Sequence, residues 1–531
     1  MIERRSNLPL LAVVIGAAAL RTWGIGYGLP NTLTHPDEGA VFSVALRFFG
    51  RNLNPGFFDW PSLFMYAVAA AFVVYFNIGR MVGWFGREAS FIAAATTHPA
   101  PLFLIARALS AAAGIATVAV TYRVGVHLFD RTTALLAALF LAVAALHVRE
   151  SHFGLTDVSA TCLLMTSFLY IVRYWRSGLR RDALLAALLG GLAASTKYNA
   201  GIVMLPLFWA IASRERSDRR TGRVRFMATC SFVAASAFAA GTPYALLDPS
   251  HFAAALREIG GHFRRGHMAL SGYAWQIHLT SSLRYGLGLP MLVAGLGGMG
   301  LAVCRNIREG TLFLLCPVAY FALIGAGQTA FARYILPTIP FLCLGGALLV
   351  TELARAISRW ASRPAAAPAL AAVIAALVAA PSLWSAIETD RLLERVDNRL
   401  LAAVWLREHF QDGASLFQTG SSYGHLQMQK EGLVPDPRYA DVPIDATPAP
   451  DVIVVLRCPL GYCDVPPDLN RALTAYVPLI AFVAVRLDDP ELVYDRDDAF
   501  FVPLSGFRAV TRPGPNVEIY GRGGVDVVRD K

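Results

Sequence analysis

Two adjacent carboxylates follow a His-Pro pair in the run Asn31-Thr-Leu-Thr-His35-Pro36-Asp37-Glu38-Gly39, at the edge of an apolar stretch. Moving either acid into hydrocarbon would cost several kcal/mol, so both are expected to line a wet cavity. Asp37 is the candidate general base: it would accept a hydrogen bond, and finally a proton, from a hydroxyl attacking an anomeric carbon. A positioned base of this kind contributes roughly 10²–10⁴ in rate. The same acids also suit the positive end of a helix starting near Glu38, with Asp37 as its cap, and the two roles are compatible.

Further polar residues fall in three other places. The turn His147-Val-Arg149-Glu150-Ser151-His152-Phe153-Gly154-Leu155-Thr156-Asp157 offers Asp157, as a second acid or as the cap of the next helix, and His152. Lys197 lies in Ser195-Thr196-Lys197-Tyr198-Asn199, and Arg333 precedes Tyr334 in Arg333-Tyr-Ile-Leu-Pro337-Thr-Ile-Pro340. The segment Tyr244 to Tyr285 concentrates Arg257, Arg264, Arg265, His262, His267, Tyr273 and Trp275. Cations at such places either anchor the chain at the membrane surface or hold an anionic group. A phosphate leaving group needs no strong general acid, because cations such as Lys197, Arg333 and Arg265 can stabilise its charge. Glycoside hydrolysis instead needs two facing carboxylates that divide acid and base roles, and no such soluble pair is visible. His35, His152, Tyr334 and Trp275 complete the candidate substrate-binding set. Asp37, Glu38 and Asp157 are compatible with assistance by a divalent metal or with none, and the sequence requires no cofactor.

The elements that position these residues are dictated by composition. The 531-residue chain is 55% hydrophobic and 16% charged, too apolar for an ordinary soluble core. Apolar segments near 8–28, 102–124, 132–148, 157–175, 226–246, 283–303, 311–326, 334–351 and 368–386 approach the roughly 20 residues of a spanning helix. The first lacks a small-residue cleavage site and reads as an uncleaved helix. The net charge of +10 does not point to nucleic acid. Its arginines cluster in short loops, at Arg4 and Arg5, Arg123 and Arg131, Arg173 to Arg181, Arg214 to Arg225, Arg305 and Arg308, and Arg355 to Arg363, which reads as the cytoplasmic side. That alternation holds if Pro61 to Gly86 stays at the outer interface and Ala183 to Ala212 forms two short helices turning near Lys197. About eleven spans follow, with the C-terminus outside.

Near Glu388 the composition turns charged, and residues 387–531 are expected to form a small extracytoplasmic α/β domain, leaving 1–386 as the membrane module. Leu400 to Phe410 has helical spacing, whereas Val452 to Leu456 and Tyr476 to Leu487 are β-rich. Cys458 and Cys463 bracket four residues in that exterior domain, where an oxidising compartment lets them pair; the spacing also permits a metal site, but no His or Cys partners sit nearby at zinc-like spacing. The other five cysteines read as small buried hydrophobes.

The ordered set of HPDE, RESHFGLTD, STKYN and RYILPTIP resembles the C-type glycosyltransferase superfamily, in particular bacterial relatives of protein O-mannosyltransferases and of the lipid A aminoarabinose transferase. The resemblance covers roughly residues 1–386. It implies an α-helical polytopic membrane fold with interfacial helices in the first outer loop, and a polyprenyl-phosphate-linked sugar as donor. It further implies that Asp37 is the catalytic acid residue of that loop, with Glu38 beside it and Asp157 as the second, and that Lys197 and Arg333 contact the donor phosphate. The tail sequences YDRDDAFFVPLSGF and RPGPNVEIYGR depart from the eukaryotic mannosyltransferases.

The expected function is sugar transfer, with inversion, to an acceptor lipid, protein or polysaccharide at the outer face of a bacterial inner membrane. A lipid-linked sugar flippase would also need an outer cationic cavity, but such proteins more often show repeated halves and polar groups at the midplane. A non-catalytic scaffold acting through the tail would leave the loop acids unexplained.

Overall fold

The computed structural model describes residues 8–32, 34–50, 52–214, 220–267 and 273–523. Arg4, Arg5 and the centre of the 214–225 run lie outside these residues. The chain divides into two units, Met1–Trp23, Val41–Phe72 and Ile105–Ile387 in one and Gly24–Ala40, Val73–Leu104 and Glu388–Lys531 in the other.

The protein is a multi-pass membrane protein with a mostly helical body. Seven described helices are long and apolar enough to cross a membrane, or eight if the bent pair Ala274–Leu287 and Leu289–Arg305 is one span. This is fewer than the expected eleven because several of the expected segments are short helices: Leu8–Thr22, Arg131–Val143, Arg180–Ala194 and Met204–Arg214. The first stops before Gly24, whose φ of 81° leaves the helical region. Leu63–Met81, expected at the outer interface, is one of the seven by length and apolarity. Loop-charge parity and segment hydropathy are separate signals, and at this helix they differ.

In the larger unit, small residues let helices approach. A Cβ at Gly298 would lie 1.7 Å from the Gly345 carbonyl oxygen, so Leu289–Arg305 and Ile339–Trp360 pack backbone to backbone. Arg21 is fully buried and donates to the carbonyls of Leu141 and Ala142 at 3.1 and 3.0 Å, adding to the Ala144 amide that Leu141 already accepts at the end of Arg131–Val143.

The arginine-rich loops are tied together by acids. Arg176 pairs with Glu309 at 2.7 Å, Arg305 with Glu352 at 2.9 Å, and Arg355 with Asp130 at 3.0 Å. Asp130 also caps Arg131–Val143 through the amides of Thr132 and Thr133. Arg176 and Asp157 stand at opposite ends of the helix Thr156–Ser177. At about 1.5 Å rise per residue that helix holds the arginine loops roughly 30 Å from the candidate acid.

The smaller unit carries the expected α/β tail. Its strands are β1 (Ala414–Gln418), β2 (Gln429–Glu431), β3 (Val434–Pro435), β4 (Tyr439–Asp441), β5 (Val452–Arg457), β6 (Tyr476–Phe482) and β7 (Asn516–Arg522). The main sheet has the order β4-β1-β5-β7-β6, with β1 parallel to β4 and β5, and β7 antiparallel to its neighbours. Strand β5 is Val-Ile-Val-Val-Leu-Arg with its first five residues buried, as a strand covered on both faces requires. On one face the helix Asn398–His409 supplies Ala402, Ala403 and Leu406 to a core with Leu416, Val454 and Leu456. On the other, Ile453 and Val455 pack with Leu469. The expected Cys458–Cys463 disulfide is present.

Candidate active site

Asp157 sits in the first turn of Thr156–Ser177, where Leu155 rather than Asp157 takes the cap position. Its carboxylate is therefore not spent on the helix end. It pairs with the ammonium of Lys197, and both side chains are buried. Lys197 is placed by a break: Arg180–Ala194 ends, Ser195 and Thr196 turn, and the 3₁₀ helix Tyr198–Val203 begins after Lys197 in extended geometry. The Lys197 amide still donates to the Ala193 carbonyl at 2.9 Å. Next to it the Ser195 carbonyl accepts from the Leu63 amide at 3.1 Å, and Ser195 shares a 2.8 Å hydroxyl contact with Thr242.

The third wall is the 3₁₀ turn Ala332–Thr338, which runs into Ile339–Trp360. It brings the Tyr334 ring to 4.5 Å from the Lys197 ammonium. Arg333 lies 4.2 Å from the Phe331 ring and 5.9 Å from the Tyr334 ring, and it is also buried. Aromatic faces stabilise cations most where water is excluded. Asp157, Lys197, Arg333 and Tyr334, four of the residues singled out in the sequence, are thus one cluster.

His152 is not part of that cluster. Its ring lies 3.0 Å from the Val148 carbonyl oxygen and 2.9 Å from that of Trp23, and burial lowers its pKa to about 4. It is an uncharged histidine that ties a turn to the end of the first helix. Arg265 is exposed and pairs with Glu258 at 2.7 Å on the helix Pro249–Arg265. Trp275 is about half exposed in the short helix Ala274–Ile277.

Within the Gly24–Ala40 stretch of the smaller unit the helix Pro36–Arg47 begins, one residue before Asp37, so Asp37 and Glu38 both occupy its first turn instead of Asp37 capping it. Proline suits the first helical position, where its missing N–H would have had no partner. Glu38 is buried and Asp37 is partly exposed. His35 is buried, with Nε2 3.8 Å from Asp498 and its ring 5.5 Å from that of Phe500. Asp498 belongs to the YDRDD run, in one of the tail sequences that depart from the eukaryotic mannosyltransferases. Its only signal was the density of acids beside Phe500 and Phe501. Among the described residues, no group of three or more His, Cys, Asp or Glu is placed to hold a metal ion.

The dolichyl-phosphate-mannose-protein mannosyltransferase family model matches residues 102–241, a stretch that includes Asp157 and Lys197. ArnT from Cupriavidus metallidurans bound to undecaprenyl phosphate superposes with a TM-score of 0.54 at 14% identity, over 98% of this chain and 99% of that one. The chain carries the C-type glycosyltransferase fold. The oligosaccharyltransferase of Archaeoglobus fulgidus matches with a TM-score of 0.51 at 13% identity, over 76% of this chain. The chain spans 58% of the archaeal protein's length. No curated protein sequence matches.

Proposed function

We propose that the protein transfers a sugar from a polyprenyl-phosphate donor to an acceptor hydroxyl at the outer face of a bacterial inner membrane, with inversion. Asp37 takes the proton of the attacking hydroxyl as its oxygen bonds to the anomeric carbon. The bond from that carbon to the phosphate oxygen breaks, and polyprenyl phosphate leaves as an anion. Glu38 and Asp157 orient the sugar or the acceptor. Lys197 and Arg333 stabilise the phosphate charge as it develops, which preorganised cations do best in a buried site.

The observation that carries this reading is the buried Asp157–Lys197 pair set against Tyr334 beside Arg333, in a chain whose fold matches ArnT along nearly its full length. Asp157 compensates the Lys197 charge, and an arriving phosphate would share it. The ArnT structure contains undecaprenyl phosphate, and the archaeal oligosaccharyltransferase has been solved with dolichol phosphate. Both support a lipid-phosphate donor here.

The test is release of free polyprenyl phosphate from a panel of polyprenyl-phosphate sugars by the purified protein with a membrane extract. Wild type is expected to release it from one donor, and Asp37→Asn to be slower by roughly 10²–10⁴. No release from any donor by folded protein would overturn the reading.

A further inference from the structure

The tail sheet contains a topological switch. From β1 the chain passes to β4 on one side, then crosses back to β5 on the other, so the parallel neighbours β1 and β5 diverge at their carboxyl ends. In open α/β sheets ligands bind in the crevice outside the carboxyl ends of the strands at such a point. A cavity of about 560 Å³ lies there, lined by Phe417 and Gln418 at the end of β1, by Thr419 to Ser421 after it, and by Gly461 and Asp464 to Pro467 after β5. Small-molecule sites typically occupy roughly 300–1,000 Å³.

The rim is built to hold its shape. Gly420 has φ of 78°, and a Cβ there would fall 2.4 Å from the Tyr462 carbonyl oxygen. Ser421 donates its amide to the same oxygen at 2.9 Å, locking the two loops together. The Cys458–Cys463 disulfide closes the second loop. Gln418 and Thr419 are committed to the fold: Gln418 bonds Leu426 and Asp441, and Thr419 accepts from the Leu456 amide. Ser421 Oγ differs, being shielded from solvent and without a hydrogen-bond partner among the described residues. A buried hydroxyl left in that state carries a desolvation cost, which a ligand in the cavity would relieve once the side chain turns about its Cα–Cβ bond to meet it.

We propose that this crevice is a saccharide-binding site. Its lining offers the half-buried Phe417 ring, the residue Ser421 with its hydroxyl turned inward, and the exposed Asp464 carboxylate, and no Lys, Arg or His. A carboxylate with no cation repels phosphates and acidic groups, and no helix begins directly after β1 to cradle an anion. A neutral sugar ring matches the set, with an apolar face for Phe417 and hydroxyls for Asp464 and Ser421. The inference concerns the tail unit alone and stands whether or not Asp37 performs sugar transfer.

The test is saturation-transfer NMR on the full-length protein in a detergent without a sugar head group, with glucose, mannose, galactose, N-acetylglucosamine and their short oligomers. At least one saccharide is expected to bind wild type, and to bind Asp464→Ala and Ser421→Ala at least fivefold more weakly, while both variants keep the disulfide and the wild-type melting temperature. Asp37→Asn separates this site from the transfer centre, since it is expected to leave the signal unchanged. The proposal is overturned if no saccharide binds, if both tail variants bind as wild type does, if the signal is lost in Asp37→Asn instead, or if a sugar phosphate binds more tightly than its parent sugar.

Discussion

The two ends of Thr156–Ser177 handle charge in opposite ways. At the Arg176 end, ion pairs to Glu309 are substantially exposed, and the neighbouring Arg355–Asp130 pair is no more buried. At the Asp157 end, carboxylate and ammonium are buried together against the partly buried Tyr334 ring. Exposed pairs are individually worth about 0–1 kcal/mol and are screened by salt. A buried pair costs desolvation of both ions, and breaking it by removing one partner costs about 3–5 kcal/mol. A chain that needed only a stable helix would gain little from the buried arrangement. The buried pair is at the Asp157 end, and we propose that end as the working one.

That difference can be broken from either side. The largest effect is expected from Lys197→Met, which strands Asp157 and should lower stability by about 3–5 kcal/mol as well as donor turnover. Restoring melting temperature with Asp157→Asn/Lys197→Met, while turnover stays low, would separate folding from function. A melting temperature unmoved by Lys197→Met would show that the pair is not desolvated.

The next effect is pH dependence at His152. The folded pKa of about 4 lies below the ordinary histidine value, so the neutral ring favours the folded state. That contribution is complete above about pH 6.5 and is lost as pH falls towards 4, up to about 3 kcal/mol. Melting temperature in detergent should therefore drop between pH 6.5 and 4.5, with a shallower slope in His152→Gln. Equal slopes would remove His152 from the account.

Arg265→Gln is expected to change donor affinity less than twofold, because Arg265 pairs with Glu258 on an exposed helix; a loss matching that of Arg333→Gln would place it at the phosphate after all. The smallest effect should come from Arg176→Gln, below about 1 kcal/mol and vanishing at high salt.

Much of this organisation is legible in the sequence because it follows local pattern. Apolar runs locate the helices, the shift near Glu388 announces the tail, and two cysteines five residues apart outside the membrane find each other. The Lys197 turn is legible from the short apolar segments flanking it. The Asp157–Lys197 pair is not, since it joins residues 40 apart through helix packing. Nor is the cap at Leu155, because an acid in a first turn reads as a cap until the side chain is seen elsewhere. His35 beside Asp498 and the β1–β5 switch rest on strand and loop order in the tail, which no local periodicity encodes.

The most direct measurement is the affinity of purified wild type, Lys197→Gln, Arg333→Gln and Arg176→Gln for undecaprenyl phosphate, with melting temperature recorded for each. The account predicts at least tenfold weaker binding in the first two variants and none of that loss in Arg176→Gln. Equal affinity across all four proteins would contradict it.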